Sequence, residues 1–262
     1  MKGFRVNLKK TRVLRNLVLD SSLKTRFIYR KMSVDIHGMR KPYNDNTNTF
    51  EFKDLVSKEP FAQFKAWFNE ASHHERIEEA NAMCLATATK DGLPSARMVL
   101  LKKFGAEGFT FYTNYTSRKA AELEENPRAS LVFYWEPLKK SVRVEGKVIR
   151  IPASESKEYF ESRPISSQIG AWVSDQSKVI KNRSVLTEKE EELTKKYSDG
   201  ETKLPYPEHW GGYRVEASSI EFWQGQSTRI HDRIRFRRAS DANDENPRIQ
   251  GEDGWIIERL AP

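Results

Sequence analysis

Apolar side chains recur along this chain at two different spacings, and the changes of spacing mark its elements. Phe61, Phe64, Trp67 and Phe68 fall on one face at helical period, and Ser57 with Pro60 supplies a helix start, so a helix is predicted here. That stripe is core packing and implies no chemistry. After the polar segment His73–Glu79 the pattern turns to short apolar or alternating runs at Ala82–Thr89, Ser95–Lys102, Gly108–Asn114, Ala129–Trp135 and Val142–Arg150. Each reads as a strand, with Lys90-Asp91-Gly92 as the tight turn between the first two. A short helix is predicted over 117–125, stopped by Asn126-Pro127, and a second over 155–162, capped by Ser154 and ended by Pro164. Residues 183–197 form a charged helix with acids and bases at i,i+4, which is a solvated face. Strands at Trp210–Val215 and through 221–238, a polar turn region at 239–254 and a last strand at Trp255–Leu260 complete the chain. There is no internal repeat. Many short strands, few helices and Gly-marked turns predict a mainly β, α+β fold: a barrel with peripheral helices packed outside, in one domain over 49–262.

The stretch from Glu221 to Arg233 carries the first chemical signal. Its basic residues Arg229, His231 and Arg233 alternate, so an extended strand would project all of them from one face. Such a face favours an anion against it. A solvated edge strand, with Arg discouraging aggregation, satisfies the same periodicity.

Composition narrows the classes. Across 262 residues, hydrophobic positions are 37% and aromatics 11%, enough for a core. No run approaches the roughly 18 apolar residues of a membrane helix, so no membrane partner is expected. Cys84 is the single cysteine, which excludes an internal disulfide and fits a reducing compartment. Its apolar neighbours Ala82-Met83-Cys84-Leu85-Ala86 place it in the core rather than among nucleophiles. The net charge of +8 is local: residues 1–34 hold ten Lys or Arg against one acid, Asp20, leaving 35 basic and 36 acidic residues elsewhere. A neutral body gives little footprint for nucleic acid, and none is expected as a partner. The tail suits an organelle-targeting presequence and an untargeted extension equally, so a cytoplasmic location is expected, with mitochondrial import as the alternative. The extension is taken as residues 1–48, ending in a polar linker, Asn44 to Thr49.

Three further stretches set anion-binding groups beside turns. Arg97 opens and Lys102 closes an otherwise apolar strand. Arg118 and Lys119 stand where a helix begins, and backbone N–H groups there already favour a phosphate. Tyr159, Arg163, Ser166 and Ser167 gather at a helix end and loop. Singly these are ordinary surface cations; jointly they suggest two phosphate-bearing ligands on one barrel. No G-x-G-x-x-G, Walker loop, zinc spacing or G-x-S-x-G elbow is present, so no metal is expected, and a cofactor is the better candidate for hard chemistry.

Arg97-Met98-Val99-Leu100-Leu101-Lys102, Phe111-Tyr112-Thr113-Asn114 with Ser117-Arg118-Lys119, Ser162-Arg163-Pro164 with Ser167-Gln168-Ile169-Gly170-Ala171-Trp172, Trp210-Gly211-Gly212-Tyr213, Glu221-Phe222-Trp223-Gln224-Gly225, Arg229-Ile230-His231-Asp232-Arg233 and Arg259-Leu260-Ala261-Pro262 together resemble the pyridoxine 5′-phosphate oxidase family. The likeness runs from about Met39 to Pro262 and leaves the basic tail uncovered.

That resemblance implies a homodimeric, Greek-key FMN-binding split β-barrel. Such enzymes oxidise pyridoxine 5′-phosphate or pyridoxamine 5′-phosphate to pyridoxal 5′-phosphate, passing electrons to O2. By motif, Arg97, Met98, Val99, Leu100, Tyr112, Thr113, Arg118, Lys119, Gln176, Ser177, Trp223 and Arg233 resemble the FMN contacts. Ser141 stands where the family commonly has a longer Gln donor. Lys102, Tyr159, Arg163 and Ser167 resemble the cradle for the substrate phosphate, and Arg229 and His231, flanking Ile230, the catalytic pair over the pyridine ring. Arg40 and Tyr43 resemble a lid over the site at 39–45, although Asn44-Asp45-Asn46 is less basic than that likeness implies. The implied site is built across the dimer interface, so the two sets of contacts need not come from one subunit. Another flavin oxidoreductase of the same fold, a non-catalytic flavin or pyridoxal phosphate carrier, and nucleic-acid binding through the tail are the competing readings.

Overall fold

The computed structural model of the chain describes residues 36–39, 43, 49–197, 202–239 and 248–262. The basic segment 1–34 and the lid candidate Arg40 lie outside the described residues. The chain divides into two units. The described part of Met1–Lys41 contains one 3-10 turn, His37–Met39, and Pro42–Pro262 carries all the elements below. Among the described residues no helix is long and apolar enough to cross a membrane.

The strands form one 10-stranded antiparallel sheet in the order β2-β1-β5-β6-β7-β8-β10-β9, with β3 and β4 attached to the far end of β7. In chain order these are β1 (Ala82–Ala88), β2 (Pro94–Leu100), β3 (Lys103–Gly105), β4 (Gly108–Asn114), β5 (Arg128–Trp135) and β6 (Lys140–Arg150), then β7 (Trp210–Gln224), β8 (Asp232–Arg238), β9 (Ile249–Gln250) and β10 (Trp255–Arg259). β7 explains the split. One edge pairs with β6 along its length, while the other pairs with β4 in its first half and with β8 in its second. The sequence suggested two separate runs here because Glu216-Ala217-Ser218-Ser219 interrupts the apolar pattern. That interruption faces a register shift at Glu145/Gly146, where β6 and β7 come so close that a Cβ on Gly146 would lie 2.1 Å from the Glu216 carbonyl oxygen.

Helix α1 (Pro60–Ser72) buries Phe61, Phe64 and Trp67 against the inner face of the sheet, as its stripe predicts. Phe64 sits at the centre, with ring centroids 4.8 Å from Phe104, 5.0 Å from Phe109 and 5.1 Å from Phe133. Its cap is Glu59, whose carboxylate accepts from the backbone N–H of Phe61 at 2.9 Å and of Ala62 at 2.7 Å; Ser57 only steadies Glu59. Helix α2 (Arg118–Glu125) is capped by Ser117. Helix α3 (Ala153–Ser162) begins one residue before Ser154, so Ser154 lies inside it and does not cap it. The segment after Arg163, taken as loop, is a further helix, α4 (Ile165–Val173), and α5 (Ser184–Tyr197) is the expected solvated helix.

Two more expectations change. Cys84 is half-buried rather than in the core, because Met83 and Leu85 take the inward positions and a period of two turns their neighbour outward. Residues 225–231 form no strand: Arg229 has φ +67, a left-handed backbone, and β8 starts only at Asp232. The shared face predicted for Arg229, His231 and Arg233 therefore does not exist. Nor is β8 an edge, since it pairs with both β7 and β10.

Candidate active site

A cleft of about 570 Å³ opens where β2, β4, α2, α3 and α4 meet. β2 brings Arg97, Met98, Val99 and Leu100 to it, followed by Lys102 in the turn beyond the strand; β4 brings Tyr112 and Thr113, and α2 brings Lys119. Tyr159, Arg163 and Ser167 come from α3, the α3–α4 junction and the first turn of α4, and Gln176 from the segment after α4. Most of the residues assigned by resemblance to the cofactor, and all four assigned to the substrate phosphate, thus line one cavity. Arg118 and Ser177 flank it without lining it. Pro164 and Trp210 line it as well, although the sequence reading gave neither a role in the site.

Tight backbone packing fixes the aromatic wall. Tyr112 stands opposite Gly212 in the β4–β7 register, and a Cβ on Gly212 would lie 2.9 Å from the Tyr112 ring and 2.5 Å from Ile151. Without that side chain, Tyr112 packs nearly parallel to both Tyr159 (4.1 Å) and Trp210 (5.2 Å), which lie 6.2 Å from each other. Burial first, then the neighbouring Tyr159, pushes the Tyr112 phenol up to about 12, so it is neutral and a hydrogen-bond donor in the working range.

Cations concentrate at both ends of the cleft. At one end Lys119 is only 7% exposed and donates to Gln176 Oε1 at 2.6 Å and Thr113 Oγ1 at 3.0 Å. Burial, then the charge of Arg97, lowers its ammonium to about 8, with Glu122 pulling the other way. At the other end the Arg163 guanidinium lies 4.8 Å over the Trp210 ring, and its buried Nη1 has no hydrogen-bond partner among the described residues. Burial lowers its pKa, Tyr159 opposing. A buried guanidinium N–H without a partner costs about 1–3 kcal/mol. It lies beside the N-terminus of α4, where backbone N–H groups and the helix dipole favour the same sign of ligand. The donor set therefore fits two phosphate groups, one at each end.

The remaining assigned residues lie elsewhere on the sheet. Trp223 stands opposite Ser141 on β6 and Arg233 on β8, and these line a second cavity of about 460 Å³ with His231. Ser141 donates to the Phe133 carbonyl at 2.8 Å, so its hydroxyl proton is already engaged. Arg233 donates to buried Glu221 at 2.7 Å and to the Ala261 carbonyl at 2.8 Å. The loop before β8 holds exposed Arg229 and Ile230 beside half-buried His231. Tyr43 covers His231 and Trp223 at 5.9 and 6.2 Å.

One hydrogen bond determines the state of His231. The Gln226 backbone N–H donates to Nδ1 at 2.9 Å, so Nδ1 carries a lone pair and the neutral ring carries its proton on Nε2. Burial, then Arg229, lowers the His231 pKa, with Asp232 opposing. The Gln226 side chain is held in turn by buried Asp232 at 2.7 Å, which also accepts from Phe50 N–H at 3.0 Å and pairs with Arg259. Sequence reading passed over Gln226 and Asp232 because their partners are distant in the chain or on the backbone.

The fold and cleft define a mainly antiparallel β protein of split-barrel type with a cationic cleft suited to phosphate esters. Comparison narrows this. Residues 70–196 match the family model described as pyridoxamine 5′-phosphate oxidase, and residues 210–262 that of the pyridoxine 5′-phosphate oxidase C-terminal dimerisation region. A pyridoxine/pyridoxamine 5′-phosphate oxidase of Bombyx mori is 49% identical over 95% of this chain and 97% of its own. A pyridoxine-5′-phosphate oxidase of Bos taurus is 53% identical over 89% and 90%. Among solved structures, PhzG of Burkholderia lata, in complex with tetrahydrophenazine-1-carboxylic acid, superposes with a TM-score of 0.70 at 29% identity, over 82% of this chain and 98% of that one. A pyridoxamine 5′-phosphate oxidase-related, FMN binding protein of Nostoc punctiforme shares the fold, with a TM-score of 0.55 at 16% identity, over 76% and 97%. The chain belongs to the pyridoxine/pyridoxamine 5′-phosphate oxidase family.

Proposed function

We propose that this chain binds FMN and oxidises pyridoxine 5′-phosphate and pyridoxamine 5′-phosphate to pyridoxal 5′-phosphate in vitamin B6 metabolism. The observation that carries the reading is one cleft lined by Lys119 and Arg97 and by Arg163, whose Nη1 has no hydrogen-bond partner among the described residues. When bound, FMN supplies the two-electron acceptor for hydride from C4′ and delivers the electrons to O2, giving H2O2, with ammonia released from the amine substrate.

The residues of the chain position and hold charge. Arg97, Arg118, Lys119, Thr113, Gln176 and Ser177 hold the cofactor phosphate, and Met98, Val99 and Leu100 border the flavin. Lys102, Tyr159, Arg163 and Ser167 grip the substrate phosphate, whose binding energy fixes the reacting carbon at a distance. His231 presents Nε2–H as a donor, and Arg229 adds positive charge over the ring where negative charge collects. Tyr43, packed on His231 and Trp223, closes over the ring.

The working form is a homodimer. Trp223, Ser141, Arg233, Arg229 and His231 line surfaces other than the cleft, so a second copy must bring them to it; the match of 210–262 to a dimerisation region supports this. Residues 1–48 are an extension to a catalytic domain at 49–262, placed in the cytoplasm or directing import into mitochondria.

The visible spectrum tests the reading. Purified protein should show oxidised flavin that bleaches on anaerobic addition of pyridoxine 5′-phosphate and returns with air. Flavin that never bleaches would mean another substrate or a carrier, and failure to bind FMN would reject the proposal.

Lys119 gives a pH test of the cofactor end. A phosphate monoester is already close to dianionic at neutral pH and favours protonated Lys119. Because burial lowers the Lys119 ammonium to about 8 in the free site, FMN binding above that pH must be coupled to uptake of a proton from solution. Affinity for FMN should therefore fall about tenfold from pH 7 to pH 9, while that for riboflavin, which lacks the phosphate, stays level. Equal pH dependence for both flavins would remove Lys119 from the phosphate contact.

A further inference from the structure

Behind the cofactor end of the cleft lies a carboxylate with no direct role in the reading above. Glu122 is on the buried side of α2 and only 3% exposed. Its Oε2 accepts from Thr87 Oγ1 at 2.5 Å, Ser95 Oγ at 2.6 Å and Arg97 Nη2 at 3.2 Å, and its Oε1 accepts from Arg118 Nε at 2.8 Å. Arg97 is locked around the same point: Nη1 donates to the Leu85 carbonyl and Thr87 Oγ1, and Nη2 to Ser95 Oγ as well as Glu122. The guanidinium therefore spends its Nη donors on the protein, and among the described residues Nε–H makes no hydrogen bond.

Resting on the FMN reading, we propose that Glu122 is a positioning residue for the cofactor-phosphate cradle. Its carboxylate fixes Arg97 and Arg118 and trims the charge of Arg97, Arg118 and protonated Lys119 to that of a phosphate dianion with opposite sign. Arg97 and Lys119 would otherwise repel each other in the free site, where burial of Lys119 makes that repulsion costly, while Arg118 is exposed and held to Glu122 from outside. One buried anion restrains them and still leaves the cradle positive enough to bind phosphate. The carboxylate stays ionised. Burial alone would raise its pKa, but hydrogen bonds from Ser95, Thr87, Arg118 and Arg97 outweigh this and hold it at about 2. Among the described residues, the groups facing Lys119 are Arg97 from β2, Thr113 from β4, Ser117 at the cap of α2, Glu122 from its own helix and Gln176 from the segment after α4, and Glu122 is the only anion among them.

The test compares FMN and riboflavin titrated into the full-length chain, wild type and Glu122→Gln, from pH 6 to 10. The variant keeps the shape and removes the charge. It should bind FMN about tenfold more weakly at pH 7.5, with riboflavin within about twofold. The pH at which FMN affinity falls should move down from about 8, because Lys119 loses its counter-ion. Unchanged FMN affinity and an unmoved inflection would overturn the proposal, as would equal loss for both flavins, which marks a merely structural role. If Glu122→Gln does not fold, Ser95→Ala decides. That variant removes one donor to Glu122 and one acceptor for Arg97, and should weaken FMN alone by about threefold; no selective loss overturns the proposal. Wild-type protein that binds FMN no better than riboflavin would instead refute the cofactor reading itself.

Discussion

Arg163→Met should raise KM for pyridoxine 5′-phosphate and lower kcat/KM about 100-fold, while leaving the fold as stable as before or slightly more so. Arg163 caps α3 with an extended backbone, and its guanidinium rests on Trp210 with a buried N–H that nothing in the described protein accepts. An arginine so placed is a liability in the free enzyme and an asset only when an anion arrives. Methionine retains contact with the indole and removes the unpaired donor, so stability should stay level or rise by up to about 1 kcal/mol. A charge-assisted bond to phosphate is worth about 1.5–3 kcal/mol, which converts to roughly 10- to 150-fold in kcat/KM. Unphosphorylated pyridoxine cannot use this contact, so any rate measured with it should not change. Steady-state kinetics on both substrates with a thermal melt would settle it. An unchanged KM for the phosphate ester, or equal loss on both substrates, removes Arg163 from the clamp.

Much of this molecule is legible in the sequence, and the omissions share a physical cause. The α1 stripe, the short strands and the solvated α5 announce themselves through local periodicity. So do the cations that the structure gathers in one cleft, because cations beside turns and helix starts are a local signal. What escapes depends on partners far along the chain. Glu122 looks like one more acid in Glu122-Leu123-Glu124-Glu125, and only the approach of Thr87, Ser95 and Arg97 gives it a buried role. Helix α4 escapes because Ser166, Ser167 and Gly170 are weak helix formers, and its formation is settled by packing of Ile169 and Ala171 beside Phe160 and Trp210. Backbone shape explains the most consequential error. Alternating basic residues predict a strand only if φ remains extended, and the left-handed Arg229 turns the chain before β8.

Arg229→Ala should lower kcat/KM about 100-fold on both phosphorylated substrates while bound FMN is retained. The positive φ at Arg229 makes the comparison clean. Arginine and alanine both meet the left-handed cost, roughly 1–2 kcal/mol for any residue with a Cβ, so the substitution removes the guanidinium without relieving strain. Arg229→Gly would remove both and should be as slow as the alanine variant; recovery of rate with glycine would show that backbone geometry, rather than charge, limits turnover. A second readout comes from His231. Burial chiefly, and Arg229 next, keeps its pKa low, and protonation at Nδ1 would set an N–H against the Gln226 N–H that now donates to it. Removing Arg229 raises the His231 pKa, so the neutral ring persists only above a higher pH, and the acid limb of the kcat/KM profile should move to higher pH. A slow variant whose acid limb does not move would separate the two residues, leaving Arg229 to orient substrate and His231 to act without it. Full activity in Arg229→Ala would remove Arg229 from the mechanism, and with it the reason for a left-handed arginine at this turn.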